Sequence, residues 1–306
     1  MPHLAVKTLA AIEAAIVADQ GAKFRGFEGQ VFPHMDDAYR DEAEDGFRSH
    51  LGASLLGGQC ARALWYGFRW NTKAHFGGRT LRLFNRGHLE EARFIAMLLT
   101  IGCQVYQQDE NGKQFRISDL GGHLGGSGDG VAIGVPDLPP GQPCLLEFKT
   151  HGDSSFQKLK KEGMRSAKFE HYVQMNSYMR KMGLPVGLYM AVNKNDDELY
   201  AEIVPLEPAL ADEMLDRGRK VIMMATPPPK LNNSPGWHGC KWCDHKPVCH
   251  LSHPPVRNCR SCVHSAPYED GTWHCNVPTQ PDGGGADRVL DKAAQLAGCD
   301  QYEVLR

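Results

Sequence analysis

The chain is 306 residues long, 42% hydrophobic and 23% charged, proportions that exclude wholesale disorder and a fibrous repeat and suit one large domain with appendages or two modest ones. Lys and Arg (34) nearly balance Asp and Glu (36) for a net charge of −2, so bulk charge argues neither for nor against a nucleic-acid partner. No apolar run approaches the ~20 residues of a membrane span, and no basic start with a cleavage site marks a leader, so the expectation is a cytoplasmic protein with no membrane partner.

Val6 to Asp19 shows helical spacing of apolar positions, and Gly21 to His50 follows as an acidic, Pro-containing, weakly patterned stretch. From Cys60 to Arg93 the basic residues Arg62, Arg69, Lys73, Arg79, Arg82, Arg86 and Arg93 face only Glu90 and Glu91, and are interleaved with Trp65, Tyr66, Phe68, Trp70 and Phe76. Such a mixture can neutralise phosphates and stack bases. An amphipathic helix with its aromatic face in the core explains it more simply.

Leu81 to Ile101 reads as a long helix, with Leu81, Leu83, Phe84, Leu89, Phe94, Met97 and Leu98 roughly on one face and Gly102 as its stop. Strand signals come at Gln104 to Gln107, Leu124 to Val135 and Cys144 to Thr150, the last bounded by Pro143 and Gly152. Phe169 to Met182 is a second strong helix ended by Gly183, and Val186 to Val192 and Leu199 to Val204 look like paired strands around Asn193 to Asp197. Pro208 to Met224 is a third helix, and Pro227 to Pro229 marks a boundary beyond which Cys, His, Pro and Gly dominate. That order of elements suggests an α/β or α+β core. The tail cannot build a core of its own and would depend on metal for order.

In the strand Leu145 to Thr150 the period of two puts Glu147 and Lys149 on one face and Leu146 and Phe148 on the other. A carboxylate and an ammonium on an otherwise apolar strand are costly unless used. Asp129, in Gly126-Ser127-Gly128-Asp129-Gly130, precedes them by a distance that suits a neighbouring strand. Two carboxylates from adjacent strands can hold Mg²⁺, and a nearby lysine can orient a metal-bound water and offset charge developing on a phosphate. Taken alone, Glu-x-Lys is a common pattern of solvated edge strands. Gln174 and Tyr178, four apart on a helix, face the same way, and Glu91 lies on the long helix four residues after Gly87.

In this order the residues resemble the RecB-like branch of the PD-(D/E)xK nucleases: a helical acidic or His residue after a glycine (Glu91), Gly-x-x-Asp (Gly126 to Asp129), Glu-x-Lys (Glu147 to Lys149) and Gln-x-x-x-Tyr (Gln174 to Tyr178). The resemblance covers roughly Cys60 to Cys249. It implies phosphodiester cleavage with Mg²⁺ or Mn²⁺ held by Asp129 and Glu147, the sphere completed by the Phe148 carbonyl and Glu91. Lys149 would position the water, and Gln174 with Tyr178 would hold the lysine and the scissile strand. His88 is a possible neighbour, one residue after Gly87, and Glu90 is read as a solvated helix residue. Arg62, Arg86, Lys158, Lys160 and Lys161 are candidate contacts to DNA phosphates, with a solvated surface as the alternative for each.

Ten cysteines in a reducing compartment point to metal rather than disulfides. Cys240, Cys243 and Cys249 form a C-x2-C-x5-C cluster short of one ligand. Zinc, with His245 or His250 as fourth ligand, is the default, and an iron–sulfur cluster is the rival. The resemblance tilts this choice, because the AddB nuclease and the CRISPR-associated RecB-like nucleases hold a 4Fe-4S cluster with three cysteines so spaced and one upstream, the place Cys60 occupies. A second group, Cys259 and Cys262 with Cys275 and Cys299, suits zinc, with His264 or His274 competing for the fourth position. Cys103 and Cys144 adjoin strands and read as core residues.

These readings combine into a PD-(D/E)xK restriction-endonuclease-like α/β (α+β) core, a central mixed sheet flanked by helices, with a Cys-rich, metal-stapled C-terminal region. The expected division is a helical or irregular extension over 1–59, the nuclease core over 60–226, an iron–sulfur segment over 227–254 used with Cys60, and a zinc-binding tail over 255–306. The expected activity is metal-dependent DNA exonucleolysis of single-stranded ends, 5′ to 3′, in recombination or repair, in a phage-type enzyme working beside a recombination or single-strand-binding protein. The competing reading is a non-catalytic DNA-end-binding iron–sulfur protein with the same fold. An intact Asp129, Glu147 and Lys149 set argues against it.

Overall fold

The computed structural model describes residues 2–35, 46–110, 113–277 and 287–305. Part of the acidic stretch between Gly21 and His50, residues 36–45, lies outside the described residues. The chain forms two compact units, neither continuous in sequence: Met1–Ala38, Phe76–Ile117 and Ser127–Glu213 make the first, and Tyr39–His75, Ser118–Gly126 and Met214–Arg306 the second.

The first unit is built on a five-stranded mixed sheet flanked by helices. Its strands run in the order Gln104–Tyr106, Gly130–Ile133, Cys144–His151, Val186–Asn193, Leu199–Pro205. Cys144–His151 is the central strand. It pairs antiparallel with Gly130–Ile133 and parallel with Val186–Asn193, which is what makes the sheet mixed. The parallel connection runs through the helices Asp153–Ala167 and Phe169–Met182, the kind of crossover a parallel pair requires. Val186–Asn193 and Leu199–Pro205 are paired antiparallel with Val192 opposite Leu199, the hairpin expected from the turn residues between them.

The long helix spans Gly78–Thr100. Its apolar side, Ala92, Phe94, Ile95, Met97 and Leu98, packs in one core with Leu146 and Phe148 of the central strand and Leu188, Met190 and Val192 of its neighbour. Phe94 and Phe148 stack with ring centroids 5.0 Å apart. Leu81, Leu83 and Leu89 are exposed instead, so the apolar face expected over the whole helix is buried only in its C-terminal half. Cys103 and Cys144 are buried in the same core; burial alone pushes the Cys103 thiol up to about 11 and is the chief cause that takes Cys144 to about 12. Both behave as small apolar side chains.

Several elements differ from the sequence expectation. Leu124 to Val135 is two strands, Leu124–Ser127 and Gly130–Ile133, because the chain breaks at Gly128, whose amide donates to the Phe115 carbonyl, and at Gly130, which has φ +145°. A Cβ on Gly130 would stand 2.8 Å from the Tyr106 carbonyl oxygen, a contact only glycine avoids. Helices over Ala22–Val31 and Asp153–Ala167 are absent from the sequence expectation: Ala22–Val31 has mostly half-buried apolar positions, and Asp153–Ala167, although Phe156, Leu159 and Met164 recur at helical spacing, bends at Gly163, which has φ +75°.

The second unit holds the helix Ala61–Phe68, the parallel pairing of Leu51 and Gly52 with Leu124 and Gly125, and an antiparallel ribbon of Ser265–Pro267, Trp273–Cys275 and Arg288–Leu290. Trp65, Tyr66, Phe68 and Trp70 are buried whereas Phe76 is exposed, so four of the five aromatic residues of the basic segment are core and not base-stacking platforms. Arg69 is buried with them, and three of its hydrogen bonds go to carbonyl oxygens of Arg260, Ser265 and Met224. Arg260 enters the same cluster, its guanidinium 3.9 Å from the Trp70 ring centroid and 4.6 Å from that of Trp273. Aromatic faces and backbone carbonyls thus take the place of carboxylates as partners for these arginines. Among the described residues no helix is long and apolar enough to cross a membrane.

Candidate active site

The central strand buries Leu146 and Phe148 on one side and carries Glu147 and Lys149 on the other, as the period of two requires. Glu147 is fully buried and Lys149 partly so. Lys149 Nζ donates to Glu147 Oε1 and, at 3.2 Å, to the Phe148 carbonyl oxygen. Gln174 Nε2 donates to Glu147 Oε2 at 3.1 Å, so Gln174 steadies the carboxylate, where the resemblance implied the lysine. Tyr178, one turn on from Gln174, is buried on the same helix. Asp129 sits at the break before Gly130–Ile133, and its Oδ2 accepts the Phe148 amide hydrogen bond at 2.7 Å. The register places Gly130 opposite Leu146, which brings Asp129 beside Glu147 across neighbouring strands.

Glu91 joins them from the long helix. Burial pushes its carboxyl up to about 8, and the carboxylates of Asp129 and Glu147 push the same way against Lys149. Glu147 rises to about 7 through burial, with Lys149 opposing and Asp129 adding. Asp129 is raised chiefly by burial, against Lys149 and the Phe148 amide. Lys149 moves upward although burial pulls it down, because Glu147 and Asp129 outweigh that cost. The lysine gains while the carboxylates lose: each carboxylate bears its own desolvation, and they share one close ammonium. His88 Nδ1 lies 3.7 Å from Glu91 Oε1, the neighbour position expected for it. Glu90, read from sequence as solvated, is 6% exposed and paired with Arg93 at 2.9 Å, since its turn of the helix faces the unit's interior.

As the side chains stand, no three His, Cys, Asp or Glu among the described residues form a metal-holding group. The donor chemistry still fits a hard divalent cation: carboxylate oxygens, buried, repelling one another, and under-neutralised by one lysine.

Of the candidate DNA contacts in this unit, Arg86 is exposed and donates to the Lys194 carbonyl at 3.0 Å. Lys158 lies 3.8 Å from Glu162, Lys160 pairs with Glu198, and Lys161 is exposed. One group that sequence reasoning missed borders the site beside Lys168: His151, Ser155, His171 and Tyr189. The alternation that picked out Glu147 and Lys149 continues to His151, and that was its only signal.

The second unit holds eight of the ten cysteines: Cys60, Cys240, Cys243, Cys249, Cys259, Cys262, Cys275 and Cys299. Cys60 begins the helix Ala61–Phe68, and Cys240, Cys243 and Cys249 sit on two short turns, with the Cys243 amide donating to the Cys240 carbonyl. Burial raises the Cys243 thiol, partly offset by a hydrogen bond from the His245 backbone, and the neighbouring Cys60 and Cys249 raise it further. Burial also raises Cys249, with Arg62 and Lys230 opposing and Cys60 and Cys240 adding. His245 Nδ1 lies 2.7 Å from the Thr72 hydroxyl and its ring packs on Tyr66. Arg62, a candidate DNA contact, bonds to the Tyr66 hydroxyl and the Pro228 carbonyl.

Cys259 is raised to about 11 by burial and then by Cys275, Cys299 and Cys262. Of the competing ligands, His274 has both ring nitrogens engaged, by Asp287 at 2.6 Å and by Thr272 at 2.8 Å. His264 lies 3.6 Å from Glu303.

No protein-family model matches the chain, and no curated protein matches it. Among solved structures it is similar to SSO0001, with a TM-score of 0.38 and 12% identity over 74% of this chain and 93% of that one. It is also similar to the alkaline exonuclease LHK-Exo from Laribacter hongkongensis, with a TM-score of 0.38 and 15% identity over 56% of this chain and 86% of that one. LHK-Exo in complex with dAMP aligns over the same shares with a TM-score of 0.39. Likeness at this level does not carry an activity from one protein to another.

Proposed function

We propose that the protein is a Mg²⁺- or Mn²⁺-dependent DNA exonuclease of the RecB-like PD-(D/E)xK type. The observation that carries this reading is the meeting of Glu91, Asp129, Glu147 and Lys149 at the central strand of the mixed sheet, ordered as in that family. Asp129, Glu147 and Glu91 would hold the cation, which when bound supplies positive charge to the phosphoryl oxygens and acidifies a water. The chain's own groups do the positioning. The Phe148 amide fixes the Asp129 carboxylate, Gln174 fixes Glu147, and Lys149 stands where it can orient the water and offset charge on the phosphate. Single-stranded ends, 5′ to 3′ polarity, and a phage-type recombination or repair setting in the cytoplasm with a single-strand-binding partner complete the proposal. They rest on the family resemblance.

The cofactor proposal has two further parts. Cys60, Cys240, Cys243 and Cys249 would hold a 4Fe-4S cluster, and Cys259, Cys262, Cys275 and Cys299 would hold Zn²⁺. The mutual electrostatic influence of the thiols within each set supports both. The test of the activity is end-labelled single-stranded and duplex DNA incubated with Mn²⁺ and wild type, Asp129→Ala, Glu147→Ala or Lys149→Ala. Wild type should shorten the strand from one end while each variant is slowed by about 100-fold or more. Cleavage by all three at the wild-type rate would refute the site, and a wild type that binds ends without cutting would favour the non-catalytic end-binding protein.

A further inference from the structure

On the central strand His151 continues the face of Glu147 and Lys149, about 7 Å beyond the lysine at the strand's rise per residue. It is 7% exposed. Its Nε2 lies 2.9 Å from the Tyr189 hydroxyl, and His171 Nδ1 lies 3.1 Å from the same oxygen, with the two imidazoles stacked at 5.9 Å. One hydroxyl has one proton to give, so at least one of the two rings donates to Tyr189. The shared oxygen holds both rings in place. Ser155 Oγ stands 3.5 Å from the other nitrogen of His151, and Lys168 Nζ donates to Ser155 Oγ at 2.5 Å.

The charge around this group is one-sided. Burial, then Lys168, Lys149 and Lys194, hold His151 down to about 4. Burial, then Lys149, His151 and Lys168, hold His171 down to about 3. Lys168 and Lys194 make no ion pair among the described residues, and Lys168 is itself lowered by burial and by Lys158, with Glu170 opposing. The Lys194 side chain lies over Gly152, where a Cβ would meet its Cε at 3.6 Å. The other nearby acid, Asp153, is occupied by Asn193 and Gln157. Half-buried ammonium groups around neutral imidazoles, with a serine hydroxyl between them, lack an anion with several acceptor oxygens.

We propose that Lys168, Ser155 and His151 form a subsite for a backbone phosphate of the DNA strand, one step along from the phosphate handled at Lys149. This rests on the nuclease reading above. The spacing of Lys149 and His151 along the strand matches the step between neighbouring phosphates of an extended single strand, and Arg86, bonded to the Lys194 backbone, continues the basic rim. Free inorganic phosphate offers the same chemistry, and the experiment separates the two sources.

Binding of the full chain to single-stranded oligonucleotides, each with one phosphate replaced by a neutral methylphosphonate, is followed by fluorescence anisotropy in EDTA. Wild type should lose about tenfold in affinity at one substituted position, the value of one charge-assisted contact. Lys168→Gln and Ser155→Ala should bind the unmodified strand more weakly and lose most of that position's sensitivity. In parallel, His151 ring resonances are followed by NMR on adding inorganic phosphate. No sensitive position in wild type, or undiminished sensitivity in both variants, overturns the subsite. A phosphate-dependent His151 shift without any sensitive position assigns the pocket to free phosphate and also overturns it. Failure of the nuclease reading has a different signature: the sensitive position is present but the strand is never cut with Mn²⁺.

Discussion

Replacing Glu91 by Gln isolates the electrostatic cost of the carboxylate cluster, because the change preserves shape and leaves the one ion-pair neighbour of Glu91 among the described residues, His88 at 3.7 Å, in place. Burial, with Asp129 and Glu147 adding and Lys149 opposing, pushes the Glu91 carboxyl up to about 8 from an ordinary value of 4.5. Between those values the folded chain binds more protons than the unfolded chain, so the contribution of Glu91 to stability is fully present below about pH 4.5 and is lost as pH rises through 8. The loss is at most about 1.4 kcal/mol per pH unit, or about 3 kcal/mol between pH 4.5 and 7. Glu91 retains 28% side-chain exposure, and water screens part of this, so about 1 to 3 kcal/mol is expected at pH 7. Urea denaturation in EDTA from pH 5 to 8 should show the two proteins matched at pH 5 and Glu91→Gln increasingly the more stable as pH rises. Mg²⁺ or Mn²⁺ at pH 8 should narrow that gap by stabilising the wild type. A difference that is flat with pH, or a wild type that gains on the variant as pH rises, would refute a repulsive buried cluster.

Two other outcomes test the packing and the cysteine sets. Phe94→Ala removes a fully buried ring stacked on Phe148 and should cost about 3 to 5 kcal/mol in urea denaturation; a loss below about 1 kcal/mol would mean that the long helix does not pack on the central strand as described. Anaerobically purified protein should be brown and contain iron, and Cys60→Ser should lose both, whereas Cys144→Ser should keep its iron and lose stability. Equal iron content in the two variants would remove Cys60 from the cluster.

Much of the candidate site was legible in the sequence because its parts are local. Glu147 and Lys149 are two apart on a strand, Gln174 and Tyr178 four apart on a helix, and Asp129 lies in a glycine-rich break one strand earlier. Each spacing decides a side-chain direction without help from the rest of the chain. The partners of those side chains are less local. Gln174 could reach Glu147 or Lys149, and only the packing of its helix on the sheet selects the carboxylate. Glu90 and Glu91 are adjacent in an amphipathic helix, and their different environments depend on which turn faces the interior. The His151, His171 and Tyr189 group draws on a strand end, a helix and a neighbouring strand, so no window of sequence contains it.

The cysteines divide along the same line. Their number and the repeated C-x2-C spacing led to the expectation of two sets of thiols, because a two-residue spacer closes a turn on its own. Cys60 entered through the family resemblance, and the surroundings of the competing histidines are visible only in the tertiary structure. In it Thr72 engages His245, and Asp287 with Thr272 engages His274. Helix and strand periodicity likewise determined most elements of the mixed sheet and its helices. The interleaving of three chain segments into each compact unit was decided only by long-range burial, which leaves no periodic mark in the sequence that undergoes it.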